Sequence, residues 1–289
     1  MFREFKNGTR FIIVLTVLNF SSTGFKVAYA ADLPTYSKAS PVVAPFSWTG
    51  FYVGANVGYG QSTASSAQYT AIEQTFFGGR IASGEIPSSL TANARGFLGG
   101  VQAGYNYQTG PQSMFGFETD IAYSGISGDR TKISIPLGFD PVIITTQKST
   151  IDWFGTFRGR VGWLATPSFL IYATGGLAYG QGKAETHTTV APGPIGAPPT
   201  CGPLGNIFCS DGSSSKTRVG WTVGGGLEHM IGRNWSVKAE YLYYDLGGAS
   251  YTVFTQSPPP PAVMQADTSF KGQIFRFGLN YKFDLAGPM

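Results

Sequence analysis

Between Gln273 and Phe283 the chain alternates with a period of two. Phe275, Phe277, Leu279, Tyr281 and Phe283 fall on one face, and Arg276, Gly278, Asn280 and Lys282 on the other. That period marks a β-strand, because successive side chains leave opposite faces. The chemistry of the two faces narrows the fold further. One is apolar and mostly aromatic while the other carries full charges, which suits a strand with hydrocarbon outside and a polar lumen inside.

Seven more segments repeat the pattern on alternate residues. They run from Phe51 to Tyr59, Phe97 to Tyr107, Phe115 to Tyr123, Ile151 to Trp163, Phe169 to Tyr179, Val219 to Leu227 and Trp235 to Tyr243. The apolar set from Ile151 includes Trp153, Gly155 and Phe157, and no Asp, Glu, Lys or Arg enters this face in any of the eight. The opposite face holds Glu118, Asp120, Asp152, Arg158, Arg160, Arg218, Glu228, Lys238, Glu240, Arg276 and Lys282. A charge turned toward lipid near the midplane costs about 2–4 kcal/mol, so the segregation has a direct physical cause. Charges confined to a narrow lumen must pair, and these residues are expected to form an internal network. Glycines on the same face, Gly104 and Gly226 among them, leave room for Tyr52, Phe154, Tyr172 and the long basic chains.

A soluble eight-stranded barrel also alternates, but it fills its interior with apolar side chains and turns its charges to water. The aromatic residues argue against that arrangement. At one end of the eight segments stand Phe51, Tyr107, Phe115, Trp163, Phe169, Leu227, Trp235 and Phe283, and all but Leu227 are aromatic. Such a girdle is expected at a membrane interface. Short joins at this end (107–115, 163–169, 227–235) alternate with long polar joins at the other (60–95, 125–150, 180–217, 247–269), as in barrels with tight periplasmic turns. The fold expected is all-β, an eight-stranded antiparallel up-and-down transmembrane β-barrel with four long extracellular loops.

Composition agrees with a barrel in the outer membrane of the cell. Charged residues make up only 12% of the chain and aromatic residues 15%, yet mean hydropathy is +0.00. No apolar run reaches the ~18 residues of a membrane helix. Arg3, Lys6 and Arg10, then Phe11 to Phe20, then Ala28-Tyr29-Ala30, have the order of an export signal, placing residues 1–30 in a cleaved peptide. Its removal takes away four bases and one acid, reducing the formal charge of +4 to +1. A near-neutral chain has no electrostatic footprint for nucleic acid. Residues 31–47 hold three prolines and no periodicity, a flexible periplasmic lead to a barrel over 48–283, and a short tail covers 284–289.

The stretch Trp48-Thr49-Gly50-Phe51-Tyr52-Val53-Gly54, the Ala-Asp-Leu-Pro lead at 31–34, Phe157-Arg158-Gly159-Arg160-Val161-Gly162, Tyr172-Ala173-Thr174-Gly175-Gly176 and the terminal Phe275–Phe283 pattern resemble the small porin-like outer-membrane proteins of alphaproteobacteria. These are similar to OmpA-type and opacity-type eight-stranded barrels. The resemblance covers residues 31–283 and implies a fold and a location more than an activity. Members are described as major surface proteins, envelope-stabilising proteins, immunogens and, in some cases, haemin binders. In such barrels the chain usually ends on the terminal aromatic, whereas here Asp284 to Met289 follow Phe283.

Little else in the chain points to chemistry. His187 and His229 lack a Ser and acid arrangement that spacing can specify, so no catalytic residue is assigned. Two histidines and two cysteines offer no metal-ligand cluster, and no cofactor is expected. In an exported chain, Cys201 and Cys209 are expected to form a disulfide, with free thiols as the alternative. Gly175-Gly176 and Gly224-Gly225-Gly226 lack the Lys-Ser/Thr and helix context of a phosphate loop, and fit lumen packing instead. The expected function is a non-enzymatic barrel that supports the envelope and presents surface loops. A small diffusion channel and a surface protein binding haem or a host surface are the alternatives. Expected partners are outer-membrane lipid and the barrel-assembly machinery, with any surface ligand unknown.

Overall fold

A computed structural model describes residues 47–73, 77–135, 142–191, 209–255 and 262–283. Ten strands form one antiparallel sheet: β1 (Gly50–Ala64), β2 (Ser66–Ala71), β3 (Ser89–Thr91), β4 (Arg95–Gln108), β5 (Ser113–Ser134), β6 (Val142–Thr166), β7 (Phe169–Ala191), β8 (Ser210–Met230), β9 (Trp235–Thr255) and β10 (Val263–Lys282). One helical turn, α1 (Gly79–Ala82), lies between β2 and β3. Strand β1 pairs with both β4 and β10, closing a ring through β4, β5, β6, β7, β8, β9 and β10. The ring has the eight strands expected, and the count of ten comes from the first long join. There β2 continues β1 along β10, from Gln68 opposite Asp267 to Ala71 opposite Met264, and β3 pairs with β2.

The long joins depart from expectation. Strands β6 and β7 contain 25 and 23 residues, whereas about 9–11 cross a bilayer. Residues 125–134, 142–150, 180–191, 210–217, 247–255 and 263–269, expected in loops, are strand. Their alternation is muted because the outward side chains are polar and many inward ones are small, such as Ala184, Thr186 and Thr188 on β7.

Two bulges re-aim side chains in this upper part. The register between β6 and β7 shifts between Ile151 and Phe154, so two residues stand between successive inward positions. Ile151 therefore points inward, 3% exposed, and Asp152 turns outward to meet Lys183 Nζ at 2.7 Å. Both placements reverse the expectation of strict alternation. On β9 the inward set steps from Leu246 to Ala249 across Gly247, whose φ of +78° favours glycine.

Above the level of Phe154 the interior is an apolar core. Leu98, Ile126, Ile143, Phe154, Leu242, Tyr244, Phe270 and Ile274 belong to one buried cluster that reaches Phe77 and Ile86 beside α1. The upper half of the barrel thus has a largely apolar core, with hydrogen-bonded polar side chains such as Gln147 and Thr186 set in it, and a mostly polar exterior. Replacing Phe270, 2% exposed, with alanine is expected to cost about 3–5 kcal/mol. Urea unfolding of the lipid-reconstituted barrel measures this, and an unchanged midpoint would mean that the upper half is not a cooperative core.

Candidate functional site: a sealed ionic layer between two aromatic belts

The lower half of the barrel has the opposite filling. Glu118 and Asp120 on β5, Arg158 and Arg160 on β6, Glu228 on β8, Lys238 and Glu240 on β9, and Arg276 on β10 all point inward and are at most 4% exposed. Alternation places each of them in the lumen, and barrel closure brings them to a common level. Arg158 holds three acids, Asp120 at 3.0 Å, Glu240 at 2.8 Å and Glu118. Arg276 reaches Glu240 Oε2 at 2.6 Å through Nε and Asp120 at 2.9 Å through Nη2. Lys238 Nζ donates to both oxygens of Glu118, at 2.7 and 2.8 Å. Arg160 Nη2 donates to Glu228 at 2.6 Å.

Neutral donors complete the layer. Tyr52 donates to Glu118 at 2.7 Å and Tyr172 to Glu240 at 3.0 Å. Thr156 serves Asp120 at 2.6 Å, while Ser236 and Asn280 serve Glu228 at 2.6 and 2.8 Å. The Arg160 guanidinium lies 4.0 Å from the Tyr172 ring centroid. Glycine makes the fit possible, since a Cβ on Gly104 would stand 2.4 Å from the Tyr52 ring and one on Gly226 2.6 Å from the Tyr172 hydroxyl. Four acids and four bases balance, which offsets the desolvation that a lone buried charge would suffer.

Apolar layers close the ionic layer on both sides. The next inward positions above it are Ala122, Phe154, Leu242 and Ile274. Below it, at the short-turn end, Trp48, Met114, Leu164, Leu170 and Met230 form a second buried cluster, and Trp48 Nε1 donates to Pro167 O at 3.0 Å.

Three charges expected in the network lie elsewhere. Asp152 is on the outer surface for the reason given above. Arg218 is higher up, its guanidinium 4.9 Å from the Phe270 ring and bonded to Gly248 O. Lys282 ends the last strand, where no barrel remains to enclose it, and its Nζ donates to Ser47 O at 2.6 Å. The histidines are at opposite ends. His187 pairs with Asp211 on the outside of β7 and β8, and His229 lies 6.0 Å from the Phe169 ring near the short turns. Cys209 is buried and disulfide-bonded. Its expected partner Cys201 lies outside the described residues, as do residues 1–46 with the signal and most of the lead, and the tail at 284–289.

Outside, Phe51, Tyr107, Phe115, Trp163, Phe169, Trp235 and Phe283 stand around the short-turn rim, with Phe51 against Tyr105 at 4.6 Å and Trp235 against Tyr281 at 5.1 Å. A second girdle went unread in the sequence. Tyr59, Phe97, Tyr123, Trp153, Tyr179, Trp221, Tyr243 and Phe275 supply one outward aromatic from each ring strand. Neighbouring rings meet, Tyr59–Phe97 at 5.2 Å, Trp153–Tyr179 at 6.1 Å and Trp221–Tyr243 at 5.5 Å. Beyond this level the outward face turns polar, at Gln61, Arg95, Asp152, Gln181, Asp245 and Gln273. Between the girdles Val101, Phe117 and Phe277 are 61–67% exposed, part of an apolar band that water would not tolerate. Phe51 and Tyr59 are eight residue steps apart; at ~3.3 Å each and a tilt near 40° these span about 20 Å of the bilayer.

Residues 37–283 match the family model for the outer membrane protein beta-barrel domain. The chain belongs to the outer-membrane β-barrel family. It is 35% identical over 264 residues to the 31 kDa outer-membrane immunogenic protein of Brucella melitensis biotype 1, covering 89% of this chain and 93% of that protein. It is 29% identical over 215 residues to the 22 kDa outer membrane protein of Rhizobium leguminosarum bv. viciae, covering 74% and 72%. Among solved structures it is similar to OprG from Pseudomonas aeruginosa, with 13% identity, 82% and 97% coverage and a TM-score of 0.44. The protein is therefore an outer-membrane barrel of the alphaproteobacterial type. By the rule that periplasmic turns are short, its upper half stands outside the cell.

In that outer half Tyr69 donates to Gln147 Oε1 at 2.8 Å, Tyr251 does so at 3.1 Å, and Thr186 lies 2.7 Å from the Tyr251 hydroxyl. Burial pushes both phenols above their ordinary range, because ionisation there forfeits hydration. A raised pKa gives stability that is complete below the unfolded value near pH 10 and is lost as pH rises through the folded one. In an ultraviolet titration the barrel is expected to hold these two phenols protonated past pH 10 and to release them on unfolding; a Y69F/Y251F barrel that titrates identically would refute this. In the ionic layer, Glu118→Ala leaves Arg158, Arg160 and Lys238 short of counter-charge and is expected to cost about 3–5 kcal/mol. The double-mutant cycle with Lys238→Ala should show strong coupling, and additive losses would dissolve the network into independent contacts.

Proposed function

We propose that this outer-membrane barrel is a non-enzymatic, closed structural element that supports the envelope and raises a rigid β-walled platform above the bilayer for display. The observation that carries this reading is the ionic layer itself, neutral in sum and enclosed above and below by apolar side chains. A diffusion path would need hydrated charges, and here every acid of the layer is already held by bases and hydroxyls. Its partners in this reading are the surrounding outer-membrane lipid and the machinery that assembles such barrels. A displayed platform fits the immunogenic character carried in the names of the Brucella relatives.

Single-channel recording tests the reading. Residues 31–289 refolded into a planar bilayer are expected to leave the current at the level of the protein-free membrane. Discrete openings that scale with salt would put a diffusion channel in first place.

A further inference from the structure

The apolar band is not an even cylinder. A groove with a volume of about 740 Å³ crosses its outer wall from Tyr179 to Trp235, and almost all of its lining is apolar. Ala55 on β1 and Ala103 on β4, diagonal neighbours across the ladder, form its floor, and Val53, Val101, Ile121 and Leu279 its walls. Its floor follows the hydrogen-bonding direction across β5, β4, β1, β10 and β9, four inter-strand steps or about 19 Å, and the Tyr179 ring of β7, lying across Gly155 of β6, closes the β5 end.

We propose that this groove holds one acyl chain of an anionic phospholipid from the periplasmic leaflet. The groove lies between the two aromatic belts, so the medium against it is hydrocarbon. Its length suits a tilted chain of one leaflet, which occupies about half of the ~30 Å hydrocarbon core. The ends differ. At one, the Tyr179 hydroxyl is turned in to the Asp120 carbonyl oxygen at 3.4 Å. At the other, Trp235 and Tyr281 meet at 5.1 Å in the periplasmic belt, and exposed Arg233 stands in the turn just before Trp235. A chain with its methyl end toward Tyr179 places its glycerol at the Trp235 belt and its phosphate within the field of Arg233, which complements an anion and not a second neutral wall.

The full mature chain is refolded into vesicles of mixed phosphatidylethanolamine and phosphatidylglycerol, extracted in mild detergent and weighed by native mass spectrometry. The expected spectrum has one phosphatidylglycerol adduct per barrel. Ala55→Phe with Ala103→Phe fills the floor on a face that tolerates apolar bulk, and loses the adduct. Arg233→Glu keeps an adduct but exchanges phosphatidylglycerol for phosphatidylethanolamine. Heat-dependent gel mobility shows which variants are folded, and if the floor variant is not, the exposed Arg233→Glu change carries the test. The proposal is overturned by a lipid-free wild-type barrel, by equal adducts on wild-type and floor variant, by an unchanged lipid preference in Arg233→Glu, or by a lipid-free dimer that shows a second copy in the groove.

Discussion

Burying charge inside a membrane is permissible only where the charges cancel, and the lower half of this barrel is arranged around that requirement. Arg158 touches three carboxylates on two other strands, and Glu118 is reached by Arg158, Lys238 and Tyr52. Such contacts exist only when the ring is closed, because β5, β6, β9 and β10 bring their residues together across the lumen. The layer is therefore both a product of closure and a reason for it. An open sheet would leave the same side chains half-solvated or facing lipid.

One strand illustrates how solvent sets the meaning of each face. On β6, Arg158 and Arg160 point inward while Phe157 and Trp163 face the bilayer. Past the bulge at Asp152, Ile151 and Ile143 point inward, and Lys148 is exposed. Full charge leaves the inner face for the outer one where the surroundings change from hydrocarbon to water, while Ser149, Gln147 and Thr145 keep the inner face partly polar. The outer aromatic belt lies at that exchange, as amphipathic rings prefer.

The eight spanning segments and their apolar faces were legible because lipid demands an uninterrupted contrast between faces. Eight of the lumen charges follow from parity alone, among them Glu118, Arg158 and Arg276. The exceptions have local causes: a bulge turns Asp152 outward, Arg218 stands above the bilayer and Lys282 beyond the last turn. The outer aromatic belt was readable in principle, since each segment carries one ring at its far end. The strand extensions were not, because Thr, Ser and Ala facing a core look like the Thr, Ser and Gly of a loop.

By itself the sequence determined a closed barrel with a charged interior and a lipid-facing wall, since a strict two-residue period admits one sidedness per environment. Only the tertiary structure decided which acid meets which base, how far the wall rises above the bilayer, and that the lumen is sealed on both sides of its charges. Those outcomes depend on register and bulges, which join residues as distant as Glu118 and Arg276. Spacing along the chain does not encode the distance between two strands once the sheet has curved to meet itself.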